Sequence, residues 1–89
     1  MKIESENDFG KVRDHVRCYL RKFPAFKHDV RQLEDKIEKH ISEYSQSLVM
    51  YRQTRQKTYL TKAQNEIESI NKTIELVEKI EVMAYLSQR

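Results

Sequence analysis

The sequence predicts an all-α fold: a three-helix arrangement in which the C-terminal helix is long and helices two and three pair as a coiled-coil-like hairpin. Three observations lead there. The 89 residues include one glycine and one proline, so few positions favour a tight turn or a break. Apolar residues recur at steps of three and four, the period of a helix face rather than the period of two that marks a strand. Charged residues make up 35% of the chain against 38% apolar, with a mean hydropathy of -0.84, as suits long helices with well-solvated outer faces.

The length allows one small domain, spanning residues 1 to 89, with no room for a second catalytic or substrate domain. Ordering such a chain costs roughly 1.5 kcal/mol per residue, which apolar burial in a small fold only about offsets. Extra burial against a second copy or a partner is therefore expected.

The first helix is expected over about residues 7–22. Ser5 and Asp8 have capping-box spacing, and Phe9, Val12, Val16, Tyr19, Leu20 and Phe23 form one stripe behind them. Gly10 in the first turn weakens this start. Pro24 then ends one helix and opens the next, because its ring disfavours helical backbone at Phe23 while its fixed φ suits a first helical position. The second helix is expected over about residues 25–43, with Phe26, Val30, Leu33, Ile37 and Tyr44 as its seam and His40 at an intervening position.

Residues 42–58 are the least periodic. Ser42, Ser45 and Ser47 compete with helix by bonding locally to the backbone, so this stretch reads as the connection. The third helix starts between about 48 and 58 and runs to about 86. Leu60, Ala63, Ile67, Ile70, Ile74 and Val77 give it the cleanest stripe of the chain. Started at 48, it would be about 58 Å long and outrun the second helix, leaving part of its seam for another chain. Those six residues are thus expected as core, and equally as a partner or dimer interface.

Charge is segmented. Residues 11–27 carry Lys11, Arg13, Arg17, Arg21, Lys22 and Lys27 against Asp14 alone, and residues 44–65 carry Arg52, Arg55, Lys57 and Lys62 with no acid. In the second zone Tyr51 and Tyr59 alternate with the cations, a pattern that suits phosphate contact and base stacking. Arg52, Arg55, Lys57 and Lys62 are accordingly candidate nucleic-acid contacts.

An enzyme is not expected. His15, His28 and His40 lie too far apart for a short-spaced ligand motif, and Cys18 has no cysteine partner. No glycine-rich phosphate loop or serine elbow is present, and the acids lie among lysines on solvated faces. No catalytic residue, metal ligand or cofactor is therefore assigned. His40 reads as a core or edge residue of the seam. With no long apolar run and an acidic start, "MKIESENDFG", neither a membrane span nor a signal peptide is expected. The single cysteine fits a reducing compartment, and a cytoplasmic location is expected.

The stretch "YLRKFPAFKHDVRQLEDKIEKHI" places an aromatic-Pro-any-aromatic corner before an amphipathic segment, through Tyr19, Phe23, Pro24, Phe26, Leu33, Glu34 and Ile37. It resembles the N-terminal helical part of RinA/ArpU-like phage late-gene transcriptional regulators. The stretch "YLTKAQNEIESINKTIELVEKI", residues 59–80, is similar to the long helix that precedes their helix-turn-helix. That DNA-reading part would begin about at "VMAYLSQR", so its DNA contacts have no counterparts here. The resemblance implies a small phage or mobile-element protein in a bacterial host cell that pairs with a regulatory protein and modulates or inhibits it. Direct nucleic-acid binding through the basic zones is the alternative, and inhibition of a host defence protein a third.

Overall fold

The computed structural model describes residues 1–87 of the chain. Helix α1 spans Phe9–Lys22, α2 spans Lys27–Thr54 and α3 spans Lys57–Ser87, with short 3-10 turns at Glu6–Asp8 and Pro24–Phe26. No strand occurs among the described residues. Helices α2 and α3 form the antiparallel hairpin that the sequence predicts, and α1 lies along part of it. The molecule is a rod of 55 × 18 × 16 Å.

The main correction concerns the connection. Residues 42–54 are helix, and α2 extends eleven residues past its expected end at 43. Burial explains why local serine chemistry loses. Ile41 and Ser47 are buried and Tyr44 packs on the core, so continuing the helix gains apolar contact along α3. The true connection is two residues. Arg55 adopts left-handed backbone with φ of 58° and sends its N–H to the Tyr51 carbonyl at 2.7 Å, closing α2 in the manner usually left to glycine. Thr54 supports the turn: its hydroxyl donates to the Met50 carbonyl and accepts from the Gln56 N–H. Because α2 reaches the turn, α3 has no uncovered first half, and the excess length expected of it is absent.

At the other end of α1 the capping box does not form. Ser5 makes no side-chain cap, and the Asp8 carboxylate instead accepts the Glu4 N–H at 3.2 Å. The proline corner is as expected: Phe23 leaves helical geometry at φ -128°, ψ 67°, and Pro24 opens a single 3-10 turn that leads into α2.

The core is one continuous cluster. Val12 and Val16 from α1, Val30 and Ile37 from α2, and Ile70, Ile74 and Val77 from α3 are at most 2% exposed. Each such side chain contributes about 1.5–3 kcal/mol by leaving water. The N-terminal segment adds Ile3, which is 1% exposed. Asn71 on α3 clamps it, accepting the Ile3 N–H at 2.7 Å and donating to the Ile3 carbonyl at 2.9 Å. Phe9 meets Tyr44 edge-on at 5.3 Å, which seats the start of α1 on the middle of α2.

Left-handed backbone costs a side-chain-bearing residue about 1–2 kcal/mol, partly offset in glycine by its freer unfolded state. Replacing Arg55 by Gly is expected to stabilise the fold by about 1 kcal/mol, read as a raised urea midpoint with unchanged slope.

Candidate functional site

Five of the six residues expected on a partner interface lie inside the chain. Ala63, Ile67, Ile70, Ile74 and Val77 are 0–3% exposed, whereas Leu60 is 40% exposed. The periodicity of α3 marks an intramolecular seam, since α2 and α1 together cover that face. The large apolar side chains that α3 leaves in solvent lie mainly on its opposite side near the C-terminal end.

There Leu76, Val82, Met83 and Leu86 stand 41–57% exposed. Leu76 and Met83 are seven residues apart, and Met83 with Leu86 and Val82 with Leu86 are three and four apart. This spacing gathers them on one outward stripe, with exposed Lys72 and Lys79 between and before them. The proline corner lies at the same end. Phe23, Pro24 and Phe26 line a cleft of about 230 Å³ with Lys22, Ala25, Ala84 and Ser87. Ala84 and Ser87 belong to the last turns of α3, so the cleft lies at the same end of the rod as the exposed stripe. Phe23 and Phe26 are half-buried and pack against the core, and Pro24 is exposed. Gln88 and Arg89, the last residues of the motif "VMAYLSQR", lie outside the described residues.

Polar contacts fix α1 beside this end. Arg13 grips Glu38 of α2 with two bonds, Nε to Oε1 at 2.7 Å and a terminal guanidinium nitrogen to Oε2 at 3.1 Å. The guanidinium holds the Glu38 carboxyl below the usual carboxylate range. Glu78 of α3 meets His15 at 3.0 Å and the Met1 ammonium at 2.7 Å, and the ammonium chiefly lowers its pKa. Tyr19 donates its hydroxyl to Glu81 at 3.3 Å. Burial first, and the Glu81 charge second, push its phenol up to about 12. His15, to which the sequence assigned no role, thus pairs across to α3.

The second basic zone lies at the far tip. Arg52, Arg55, Lys57 and Lys62 are all exposed around the two-residue turn. The Arg55 guanidinium sits 5.9 Å from the Tyr51 ring centre and the Lys62 ammonium 5.4 Å from that of Tyr59. The cations therefore cover the rings that the sequence offered for base stacking. None of the four takes part in an ion pair among the described residues. In the first zone, Arg13 is engaged with Glu38, and Arg17, Arg21, Lys22 and Lys27 are exposed.

Sequence reasoning missed the Ile3–Asn71 clamp and the pairs made by Glu66 and Glu78. Their partners are 26 to 77 positions away, beyond any local spacing rule. No described helix is long and apolar enough to cross a membrane. Comparison with known proteins finds no matching family model, and no curated protein or solved structure matches the chain.

The raised phenol of Tyr19 gives an alkaline signature. A folded pKa above the ordinary value near 10 means that Tyr19 contributes stability in full below about pH 10 and loses it as pH rises toward about 12. Tyr19→Phe removes the ionisable hydroxyl. Its urea stability is expected to fall less steeply across that window than that of the unaltered chain, by up to one proton's worth of slope.

Proposed function

We propose that this protein is a non-enzymatic interaction module that binds a regulatory protein through the C-terminal end of α3 and the adjoining proline corner. The observation that supports this reading is the stripe of Leu76, Val82, Met83 and Leu86, large apolar side chains left in water beside an apolar cleft. Scattered apolar residues on a surface need no explanation, but a group gathered at the same helix end as a cleft suits a partner helix laid along it. Recognition by anchors three, four and seven residues apart is the usual grammar of helix-in-groove binding. The resemblance of the corner and of α3 to RinA/ArpU-like regulators supplies the context: phage or mobile-element transcription, with the module modulating or inhibiting a regulator of that kind. The same stripe also suits a second copy of the chain, and the oligomeric state separates the two.

Met83→Glu with Leu86→Glu places two charges on the stripe without touching the core. Far-ultraviolet circular dichroism is expected to be unchanged while a complex with a purified RinA/ArpU-like regulator, measured by sedimentation at micromolar concentration, is lost. Absence of any complex with the unaltered protein overturns the reading. A dimer that the double substitution dissociates moves the partner from a regulator to the chain itself.

A second reading has its own observation. Four cations that make no ion pair among the described residues stand at the hairpin tip, in a stretch from residue 44 to residue 65 that contains no carboxylate. Such a tip suits a nucleic-acid backbone, whose affinity for it comes from release of condensed counterions. On this reading, binding in a gel shift weakens with log salt by about 0.9 log units per phosphate contact on duplex DNA. Replacing Arg52 and Arg55 by Gln reduces that slope by roughly two contacts. No shift at low salt eliminates it.

A further inference from the structure

Halfway along the hairpin, at the edge of the three-helix body, one imidazole and two carboxylates converge from both helices. His40 and Glu43 lie three apart on α2, hence on one face, and Glu66 arrives from α3. Their ligand atoms all lie within 4.8 Å of one another, and His40 Nδ1 is 2.6 Å from Glu66 Oε2. The set is neither buried nor free in solvent: the side chains of His40 and Glu66 are 23% and 19% exposed. We propose that His40, Glu43 and Glu66 form a binding site for a divalent transition-metal ion of the zinc type, which staples α2 to α3 level with the start of α1, where Phe9 meets Tyr44.

Three features favour an ion over a plain hydrogen-bonded pair. First, two half-buried carboxylates flank a single ring, and one imidazole proton satisfies only the Glu66 side. Glu43 makes no hydrogen bond or ion pair of its own among the described residues. Second, the one cation on the adjoining wall does not fill this role. Lys62 lies over the Tyr59 ring at 5.4 Å instead. Third, Glu43 and Glu66 line an open groove of about 540 Å³ between the two helices, with space for the water that completes a three-ligand site.

The geometry needs little adjustment. Nitrogen and oxygen ligands at about 2.0–2.2 Å from a tetrahedral zinc are about 3.4 Å from each other. The 2.6 Å His40–Glu66 contact therefore opens by less than about 1 Å, and the wider separations close by less than about 1.5 Å. In a neutral ring Nδ1 gives up its proton to Nε2, a change of tautomer, and donates its lone pair to the ion. The two carboxylate charges balance those of the ion. The sequence alone assigned no metal ligand, because the third member of this set comes from the facing helix, 26 residues from His40.

Zinc titration against a chromophoric chelator, paired with thermal melts, tests the proposal on the full chain. The expected result is one saturable site, with melting raised by zinc. Glu43→Gln, which breaks no existing bond, leaves the metal-free melt unchanged and weakens binding about tenfold or more. His40→Asn abolishes it. His15→Asn, His28→Asn and Cys18→Ser leave it intact. No saturable binding overturns the proposal, as does binding that survives either Glu43→Gln or His40→Asn. Binding lost in Cys18→Ser places the ion on α1 and overturns it equally.

Discussion

The apolar seam between α2 and α3 sets the position of everything else in the molecule. Val30, Ile37 and Ile41 on one side and Ile67, Ile70, Ile74, Val77 and Ile80 on the other are buried along most of the hairpin. An α-helix advances about 100° per residue, so fixing that stripe inward fixes the rotation of the whole of α3. Glu78 and Glu81 then fall on the border where α1 lies, and Asn71 beside Ile3. Glu66 falls on the groove against His40, and Leu76 and Met83 on the outer side. The polar contacts are consequences of this rotation. Each of them trims and orients, but none replaces the burial.

Helix α1 is held differently. It contributes Phe9, Val12, Val16 and Tyr19 to the core, and its outer positions carry charge. The forked contact between Arg13 and Glu38 has both side chains more than 40% exposed, so solvent screening leaves it little net energy and its value is orientational. The half-buried pairs of His15 with Glu78 and of Tyr19 with Glu81 point the same way, toward α3. Together with the Phe9–Tyr44 contact they make α1 a cross-brace over two helices. The Pro24 corner returns the chain so that this brace and α2 run side by side.

Much of this was legible in the residues. The stripes of α1 and α3, the corner at Pro24 and the pairing of the last two helices all follow from spacing, because helical period is local information. The connection was misplaced because the serines at 42, 45 and 47 signal local competition, whereas their helix is decided by burial of Ile41 and Tyr44 against a segment more than twenty residues away. For the same reason the stripe of Ile67, Ile70, Ile74 and Val77 announced burial without saying against what. The exposed stripe was the harder half to see. Leu76, Val82, Met83 and Leu86 only become conspicuous once the inward face has been assigned and they are left over.

Helix α1 has 14 residues and α2 has 28, so one half of the rod is three helices thick and the other only two. Local opening is easiest where few apolar contacts must be broken. The turn end, with Arg55 in its left-handed bend, is therefore expected to open in smaller and more frequent excursions than the end near the proline corner. A single continuous helix, α3, runs through both regimes. Amide hydrogens near Leu60 are accordingly expected to exchange faster than those near Ile74, which would make the rod a softer charged end joined without a hinge to a firmer apolar one.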